Sequence, residues 1–245
     1  PLQIEITLLH TATHTSKNTA QEHLTSFYKE FSDVKDMRFD GMIVTGAPVE
    51  DLEYEDVDYW KEICEIYEWA KTHVYSSFFI CWGAQSALYY YYGLPKVKLP
   101  RKLSGVYENR VIVPSHPLVR GFDEVFFAPH SRNSEVTERS IAECPHLEIL
   151  SKSDKAGVYI AAARTGRRFF VMGHSEYDAD TLKNEYLRDL AKGINPEIPE
   201  NYFPFNNPEN TPKNFWRSHA HLLYSNWLNY FVYQDTPYNL DELDR

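Results

Sequence analysis

Cysteine is scarce in this sequence of 245 residues, and the three cysteines present form no metal or disulfide pattern. Cys64, Cys81 and Cys144 are an odd number, and no two of them have the spacing of a CxxC motif. A disulfide framework and the common zinc motifs are therefore excluded, and the pattern fits a reducing compartment. We expect a cytoplasmic protein without a bound metal.

Basic residues are also in the minority, since 25 lysines and arginines stand against 35 aspartates and glutamates. The resulting net charge of −10 argues against nucleic acid as a partner, because phosphate binding needs a basic face. No apolar run approaches the roughly 18 residues that suggest a membrane span. We therefore expect neither a nucleic-acid nor a membrane partner, although a local basic pocket still allows a phosphorylated small molecule.

Segments of strand and helix character alternate along the first hundred residues. Residues 39–48 and 77–81 are nearly all-apolar runs, as expected for strands buried on both faces. Helical periodicity follows each of them, over residues 58–73 and 82–92. This order predicts parallel strands covered by helices. We expect one α/β domain across all 245 residues, with a mostly parallel sheet and helices on both faces.

The other predicted elements are, in chain order, a strand over 1–10, a helix over 20–31, several short strands within 102–127, a hairpin over 157–172 and helices over 179–192 and 216–233. Residues 194–214 are rich in Pro and Asn, which predicts irregular structure. No repeat, low-complexity tract or linker divides the chain.

Cys81 lies where an apolar strand meets a helix. Such a strand–turn–helix junction exposes a nucleophile at the carboxyl edge of a sheet, and Gly83 lets the turn pass close to neighbouring backbone. The positive end of the helix favours a thiolate, and the backbone N–H of Trp82 is placed to serve an oxyanion. A buried free cysteine more often serves only as a small apolar side chain in the core, and we interpret Cys64 and Cys144 in that way.

A second motif, VMGHSEYD, supplies a base for this thiol. His174 follows a predicted strand, and Glu176 comes two residues later, close enough to reach back to the imidazole. A thiol nucleophile needs a base, and the base needs a partner that fixes its tautomer and orientation. Cys81, His174 and Glu176 together have the layout of class I glutamine-amidotransferase-like cysteine enzymes.

Seven long motifs together resemble one family. They are FDGMIVTGAPVE, FFICWGAQ, KLSGVYE, FAPHSR, GHSEYDADTL, NYFPFNNPENTP and WRSHAHLLYSNWLNY. Through them the sequence is similar to the MetA-type homoserine O-acyltransferases, from residue 1 to about residue 240. The resemblance implies a ping-pong reaction in which Cys81 takes an acyl group from acyl-CoA. His174, oriented by Glu176, then deprotonates the hydroxyl of homoserine, in methionine biosynthesis.

The same resemblance assigns further residues to the substrates. Lys102, Ser131 and Arg188 fall on substrate-contacting positions, and Arg188 would pair with the α-carboxylate of the amino acid. Arg132 is a weaker candidate for this group. Without the family, Lys102 and Arg188 would be interpreted as solvated surface charges.

Glu50, just after the GAP motif, indicates the acyl donor through the resemblance. In this family glutamate accompanies acetyl donors and glycine accompanies succinyl donors. A carboxylate in the acyl pocket fills space and repels the terminal carboxylate of a succinyl group. The expected co-substrate is acetyl-CoA, with no bound cofactor.

Several alternatives stay open. Serine as acceptor is the nearest, because one methylene is worth only about 1–3 kcal/mol in a pocket. A succinyl-CoA-specific enzyme and a glutamine-amidotransferase-like hydrolase are less favoured alternatives. The hydrolase is less favoured because Phe79 lies two residues before Cys81, where the nucleophile turns of amidotransferases usually carry glycine. The resemblance also implies a homodimer. It further suggests that a family N-terminal segment with part of the active-site wall precedes residue 1, and a second oxyanion donor is expected there.

Overall fold

The computed structural model describes residues 2–13 and 27–237. Its strands are β1 Leu8–Leu9, β2 Tyr28–Lys29, β3 Phe39–Val44, β4 Val74–Ile80, β5 Val97–Val111, β6 Val125–Glu135, β7 Leu147–Ser153, β8 Gly157–Ala163 and β9 Arg168–Val171. Its helices are α1 Phe31–Val34, α2 Trp60–His73, α3 Trp82–Tyr92, α4 Glu138–Glu143, α5 Thr181–Ala191 and α6 Arg217–Asn226, which a π-helix continues over Trp227–Tyr233. Single 3₁₀ turns occur at Tyr54–Asp56, Pro117–Val119 and Pro204–Asn206.

Seven strands form one sheet in the order β3-β4-β9-β8-β7-β5-β6. The β3–β4 and β4–β9 pairings are parallel, and the other four pairings are antiparallel. The prediction of a mostly parallel sheet is therefore wrong, while the α/β class is correct. Short turns at residues 154–156 and 164–167 join β7, β8 and β9, and connections of that length link only antiparallel strands.

Helices cover both faces of the sheet, as predicted. Phe78 and Phe79 are adjacent in β4 and therefore point to opposite faces. Phe79 stacks on Phe170 of β9, with ring centroids 5.3 Å apart, in the core under α2 and α3. Phe78 and Phe169 lie in the opposite core, where Trp227 of the π-helix packs 5.3 Å from Phe78. Packing on both faces fixes β4, so the position of its carboxyl end is well defined.

The predictions for the N-terminal residues agree only in part with the structure. The strand expected over 1–10 forms only at Leu8–Leu9, which pairs in parallel with β2. Of the helix expected over 20–31, residues 20–26 lie outside the described residues. The described remainder contains β2 and the start of α1 instead of one continuous helix.

The segment 102–127 also differs from the prediction of several short strands. It contains most of β5, which is one strand of 15 residues, and the start of β6. A register shift between Lys98 and Leu103, next to Pro100, interrupts the β5–β6 ladder. Proline and the irregular register account for a broken sequence pattern at the start of this segment.

The remaining predicted elements are confirmed within a few residues: the strands at 39–48 and 77–81, the helices at 58–73, 82–92 and 179–192, and the hairpin at 157–172. Among the described helices, none combines the length and the apolar composition that a bilayer crossing requires.

Candidate active site

Cys81 occupies a strained turn between β4 and α3. Its backbone has φ 50° and ψ −114°, a region that non-glycine residues rarely adopt and that carries a strain of about 1–3 kcal/mol. The turn is held at both peptide groups. The Cys81 N–H donates to the Val171 carbonyl at 2.8 Å, and the Gln85 N–H donates to the Cys81 carbonyl at 3.0 Å. The strain places the thiol at the edge of the sheet, at the wall of a large cleft.

Two glycines allow this turn to approach the end of β3. A Cβ atom on Gly83 would lie 2.7 Å from the Val44 carbonyl oxygen, so the predicted close approach of the turn to neighbouring backbone is confirmed. A Cβ atom on Gly46 would lie 3.2 Å from His174 Cε1 and 3.3 Å from Cys81 Cβ. Gly46 therefore lies against both the candidate nucleophile and the candidate base, and the structure brings those two residues together.

His174 follows β9 and is fixed by its backbone and by its ring. Its N–H donates to the Pro129 carbonyl at 2.8 Å, and Nδ1 lies 2.7 Å from Glu176 Oε1. The residue is 7% exposed, whereas the Glu176 side chain is 38% exposed. The expected pairing of His174 with Glu176 is therefore present in the structure, and it leaves Nε2 for the reacting groups.

The electrostatic surroundings of His174 favour its protonated form. Burial alone would lower the pKa of His174, but hydrogen bonding and charge interaction with Cys81, and then with Glu176, raise it to about 10. A cationic imidazole is the partner that a thiolate nucleophile requires. It can also donate a proton to a departing group.

Trp82 begins α3 directly after the nucleophile. Its indole is 1% exposed and makes an edge contact with Tyr59, so the side chain belongs to the core. The N–H groups of the first helical turn have no partner within the helix. Any role of Trp82 at the site therefore belongs to its backbone N–H.

Lys102, Ser131 and Arg188 converge on two carboxylates of α5. Lys102 Nζ lies 2.9 Å from Asp189 Oδ2 and 3.6 Å from Glu185 Oε2. The Ser131 hydroxyl donates to Glu185, and the Arg188 guanidinium pairs with Asp189 at 2.8 Å. All three residues also line the cleft that contains Cys81 and His174. The structure thus places the three predicted substrate residues in one cluster.

Glu185 and Asp189 are functional candidates that sequence reasoning missed. Burial raises the pKa of Asp189, but hydrogen bonds from Lys102 and Arg188 outweigh this and lower it. The available signal was the spacing of Glu185, Arg188 and Asp189, because residues three and four apart share one helix face. That signal is weak alone, since a charged face is usually a solvated one.

Arg132 lies outside this cluster. Its side chain is 1% exposed, and its guanidinium donates to the Ser134 carbonyl at 2.8 Å and to the Ala156 carbonyl at 2.6 Å. Arg132 joins the end of β6 to the turn between β7 and β8. Arg132 is not among the residues that line the cleft, and these two hydrogen bonds serve the fold, so the suggestion that it contacts substrate together with Lys102 is not supported.

Glu50 lines the cleft on the side of β3. Its Oε2 accepts a hydrogen bond from Asn133 at 3.3 Å, and its backbone carbonyl accepts one from Lys96 at 2.7 Å. Burial raises the pKa of Glu50, against smaller lowering effects of Asn133, Lys102 and His174. The structure places this carboxylate in the same cleft as Cys81, as a donor-selecting residue requires.

The cleft has a volume of about 1690 Å³, large enough for an extended substrate as well as an amino acid. Its wall is both polar and apolar. Within residues 2–13 and 27–237, no group of three or more His, Cys, Asp or Glu side chains is arranged to hold a metal ion.

Sequence comparison identifies relatives over nearly the whole chain. The family model described as "HTS: Homoserine O-succinyltransferase" matches residues 1–238. A homoserine O-acetyltransferase of Acetivibrio thermocellus is 56% identical over 243 residues, which is 99% of this chain and 80% of that protein. A homoserine O-acetyltransferase of Bacteroides fragilis is 53% identical over 243 residues, with the same coverage of 99% and 80%.

Solved structures share the fold at low sequence identity. A glutamine amidotransferase from Thermotoga maritima has a TM-score of 0.57 at 16% identity, over 78% of each chain. A glutamine amidotransferase from Methylobacillus flagellatus has a TM-score of 0.57 at 11% identity, over 89% of this chain and 91% of the other. These matches confirm the predicted class I glutamine-amidotransferase-like fold. They concern the fold alone, since one fold supports several chemistries.

Proposed function

We propose that this chain, which belongs to the homoserine O-succinyltransferase family, transfers an acetyl group from acetyl-CoA to the side-chain hydroxyl of L-homoserine. Cys81 carries the acetyl group between the two substrates as a thioester. The observation that carries the proposal is the placement of Cys81 beside the His174–Glu176 pair, in one cleft with Lys102 and Arg188. The reaction is a step of methionine biosynthesis.

The first half-reaction acetylates the cysteine. The Cys81 thiolate attacks the acetyl carbonyl, and the Trp82 N–H stabilises the tetrahedral oxyanion. The bond to the CoA sulfur then breaks, and His174 gives its proton to the departing thiolate. Acetyl-Cys81 and free CoA are the products, and His174 is left neutral. Loss of the cysteine's negative charge also removes an interaction that raises the pKa of His174, so the imidazole is now suited to act as a base.

The second half-reaction transfers the acetyl group to the acceptor. His174 takes the proton of the homoserine hydroxyl, whose oxygen attacks the thioester carbonyl. The bond to Cys81 breaks, and the thiolate re-forms beside a protonated His174. A zwitterionic amino acid suits the neighbouring cluster, because Arg188 pairs with its carboxylate and Glu185 with its ammonium group.

Glu50 selects the donor. Its carboxylate lies in the cleft where the acyl group must sit, and a terminal carboxylate on the donor would be repelled by it. The two curated relatives named above are homoserine O-acetyltransferases, which supports both acetyl as donor group and homoserine as acceptor. Serine, the shorter acceptor, is the second candidate, because the same cluster would bind its amino-acid group.

The protein works in the cytoplasm, it uses acetyl-CoA as a co-substrate without a bound cofactor, and it acts as a homodimer. The cytoplasmic setting is supported by free cysteines at all three positions. The dimer is proposed only because the resemblance of the sequence to its family implies one.

The test is CoA release, followed with a thiol reagent, for acetyl- and succinyl-CoA against homoserine and serine. The expected result is fastest turnover with acetyl-CoA and homoserine, abolished in Cys81→Ala and retained in the matched control Cys144→Ala. Preference for succinyl-CoA would contradict the role of Glu50, and faster turnover of serine would overturn the acceptor. Ammonia release from glutamine, without acetyl transfer, would show that the protein is not an acetyltransferase.

A further inference from the structure

One aromatic side chain without a role in these steps lies directly on the candidate base. The ring of Tyr177 stacks on the imidazole of His174, with centroids 4.3 Å apart and planes inclined by 15°. A hydrogen bond from Nδ1 to Glu176 fixes one edge of the imidazole. That bond alone leaves the ring free to tilt about the bond. The stacked ring of Tyr177 removes this freedom, because it supports the flat face.

Tyr177 is itself fixed by hydrogen bonds at its backbone and at its hydroxyl. The indole of Trp216 donates to the Tyr177 carbonyl at 3.0 Å, which fixes the backbone. At the other end, the Tyr177 hydroxyl donates to Glu185 Oε1 at 2.7 Å. Burial and then the charge of Glu185 raise the pKa of Tyr177, so the phenol stays protonated and the direction of this hydrogen bond is defined.

Glu185 connects this tyrosine to the cluster that would bind the amino acid. Its second oxygen, Oε2, accepts a hydrogen bond from Ser131 and lies 3.6 Å from Lys102 Nζ. One carboxylate therefore contacts the acceptor cluster through one oxygen and Tyr177 through the other. A continuous path of contacts leads from the acceptor cluster through Glu185 and Tyr177 to the face of His174.

We propose that Tyr177 is a positioning residue that couples occupation of the amino-acid cluster to the orientation of the His174 ring. Its phenol ring keeps the imidazole in the plane needed for both half-reactions, and its hydroxyl orients Glu185 toward the acceptor. The inference rests on the proposed function, since it assigns the acceptor to the cluster at Glu185. It predicts that the ring and the hydroxyl of Tyr177 have separable effects.

Two variants separate these effects. Tyr177→Phe keeps the stacked ring and loses the hydrogen bond to Glu185. Without this hydrogen bond Glu185 is no longer oriented toward the acceptor, so we expect KM for homoserine to rise about tenfold. The rate of Cys81 acetylation should stay at the wild-type value. Tyr177→Leu also removes the ring, and both half-reactions should slow by about tenfold to a hundredfold because the base is misplaced.

The experiment measures the half-reactions separately. The burst of CoA released from acetyl-CoA without acceptor reports acetylation, and decay of the isolated acetyl-enzyme with homoserine reports transfer, each as a function of pH. In Tyr177→Leu the pH profile of transfer should move, which a purely structural role would not cause. The matched control is Tyr89→Phe, which removes a tyrosine–glutamate hydrogen bond of the same 2.7 Å length to Glu55, on a different part of the surface.

The possible results distinguish the coupling through Tyr177 from the proposed function. An unchanged KM for homoserine in Tyr177→Phe, or acetylation slowed equally in Phe and Leu variants, would overturn the coupling. Because Tyr177→Phe retains the ring, it gives this answer even if Tyr177→Leu does not fold. Absence of a CoA burst in the wild-type protein would instead contradict the proposed function itself. The two failures are therefore distinguishable.

Discussion

Cys81 illustrates at the scale of single residues how much the site depends on local backbone. The positive φ of Cys81 is tolerated because hydrogen bonds fix both of its peptide groups, and Gly46 and Gly83 leave space for the turn. Strain of this kind persists where the surrounding structure over-determines it, often at functional sites. The thiol is therefore held in place before any substrate binds.

The pKa of His174 should depend on the cysteine beside it. In Cys81→Ala the hydrogen bond and the negative charge of the thiolate are lost, while burial, which lowers the pKa, remains. We expect the pKa of His174 to fall clearly below the value of about 10 that it has in the intact pair. NMR titration of selectively labelled histidines measures this directly.

The control for that titration is Cys144→Ala, which removes a cysteine outside the cleft lining. The titration of His174 should be unchanged in this variant. A His174 pKa that stays near its original value in Cys81→Ala would show that the thiol does not support the imidazolium.

Glu50 should destabilise the fold at neutral pH. Burial raises the pKa of Glu50 above that of an unfolded glutamate. A raised pKa means that the stabilising contribution is present below the unfolded value, about 4.3, and is lost as pH rises through the folded value. Glu50→Gln cannot ionise, so its unfolding free energy should exceed that of the wild type at pH 7, and the difference should shrink as pH falls.

Urea denaturation at several pH values measures this difference. Glu143→Gln is a suitable control, because the Glu143 side chain is 65% exposed. A wild type more stable than Glu50→Gln at neutral pH would contradict the burial argument. The interpretation of Glu50 as a functional residue retained at the expense of stability would then be wrong.

The residues of the site were predictable to different degrees. Cys81, His174 and Glu176 follow from local patterns, since each lies at a strand end and the last two are neighbours in sequence. Glu185 was not predictable from such patterns, because its role depends on contacts with Ser131 and Lys102 on other elements. The role of Tyr177 depends on its ring contact with His174 and its hydrogen bond to Glu185, which sequence patterns do not show.

At the scale of elements, periodicity predicted the existence of most strands and helices but not the direction of the strands. The hairpin predicted over 157–172 already implied that β8 and β9 are antiparallel, as they are. The missed antiparallel pairings involve β7, for which no strand was predicted, and β5, which pairs with β6 and β7. Similarly, β5 is one long strand whose register shift near Pro100 breaks the pattern.

The helix α5 contributes one charged face to the cleft, and the Asp189 carboxylate on it pairs with both Lys102 and Arg188. Asp189→Asn should weaken the hold on Lys102 and Arg188, leaving their charges incompletely paired. We expect the unfolding free energy to fall by about 1–3 kcal/mol and KM for homoserine to rise several-fold. Acetylation of Cys81 should be little affected, because the proposed role of α5 is to bind the acceptor.

Thermal unfolding measures the change in stability, and steady-state kinetics measure the change in KM for homoserine. The matched control is Asp154→Asn, which removes an exposed partner of Arg110, and exposed ion pairs contribute about 0–1 kcal/mol. If Asp189→Asn and Asp154→Asn behave alike, the α5 cluster has no special role in binding the amino acid.

At the scale of the whole molecule, the cleft joins elements that are far apart in sequence. The nucleophile follows β4, the base follows β9, Ser131 lies on β6, Lys102 on β5 and Arg188 on α5. The fold is shared with glutamine amidotransferases, so the fold itself does not determine the acceptor. The charged cluster that lines the same cleft as Cys81 distinguishes the proposed chemistry, and only the three-dimensional structure shows that its residues come together.

A covalent acetyl group on Cys81 is detected by mass spectrometry of the intact protein, mixed with acetyl-CoA in the absence of acceptor. The expected result is a mass increase of one acetyl group, located by peptide mapping at Cys81, absent in Cys81→Ala and lost when homoserine is added. An unmodified Cys81 in a protein that still produces O-acetylhomoserine would contradict the role of Cys81 as acetyl carrier.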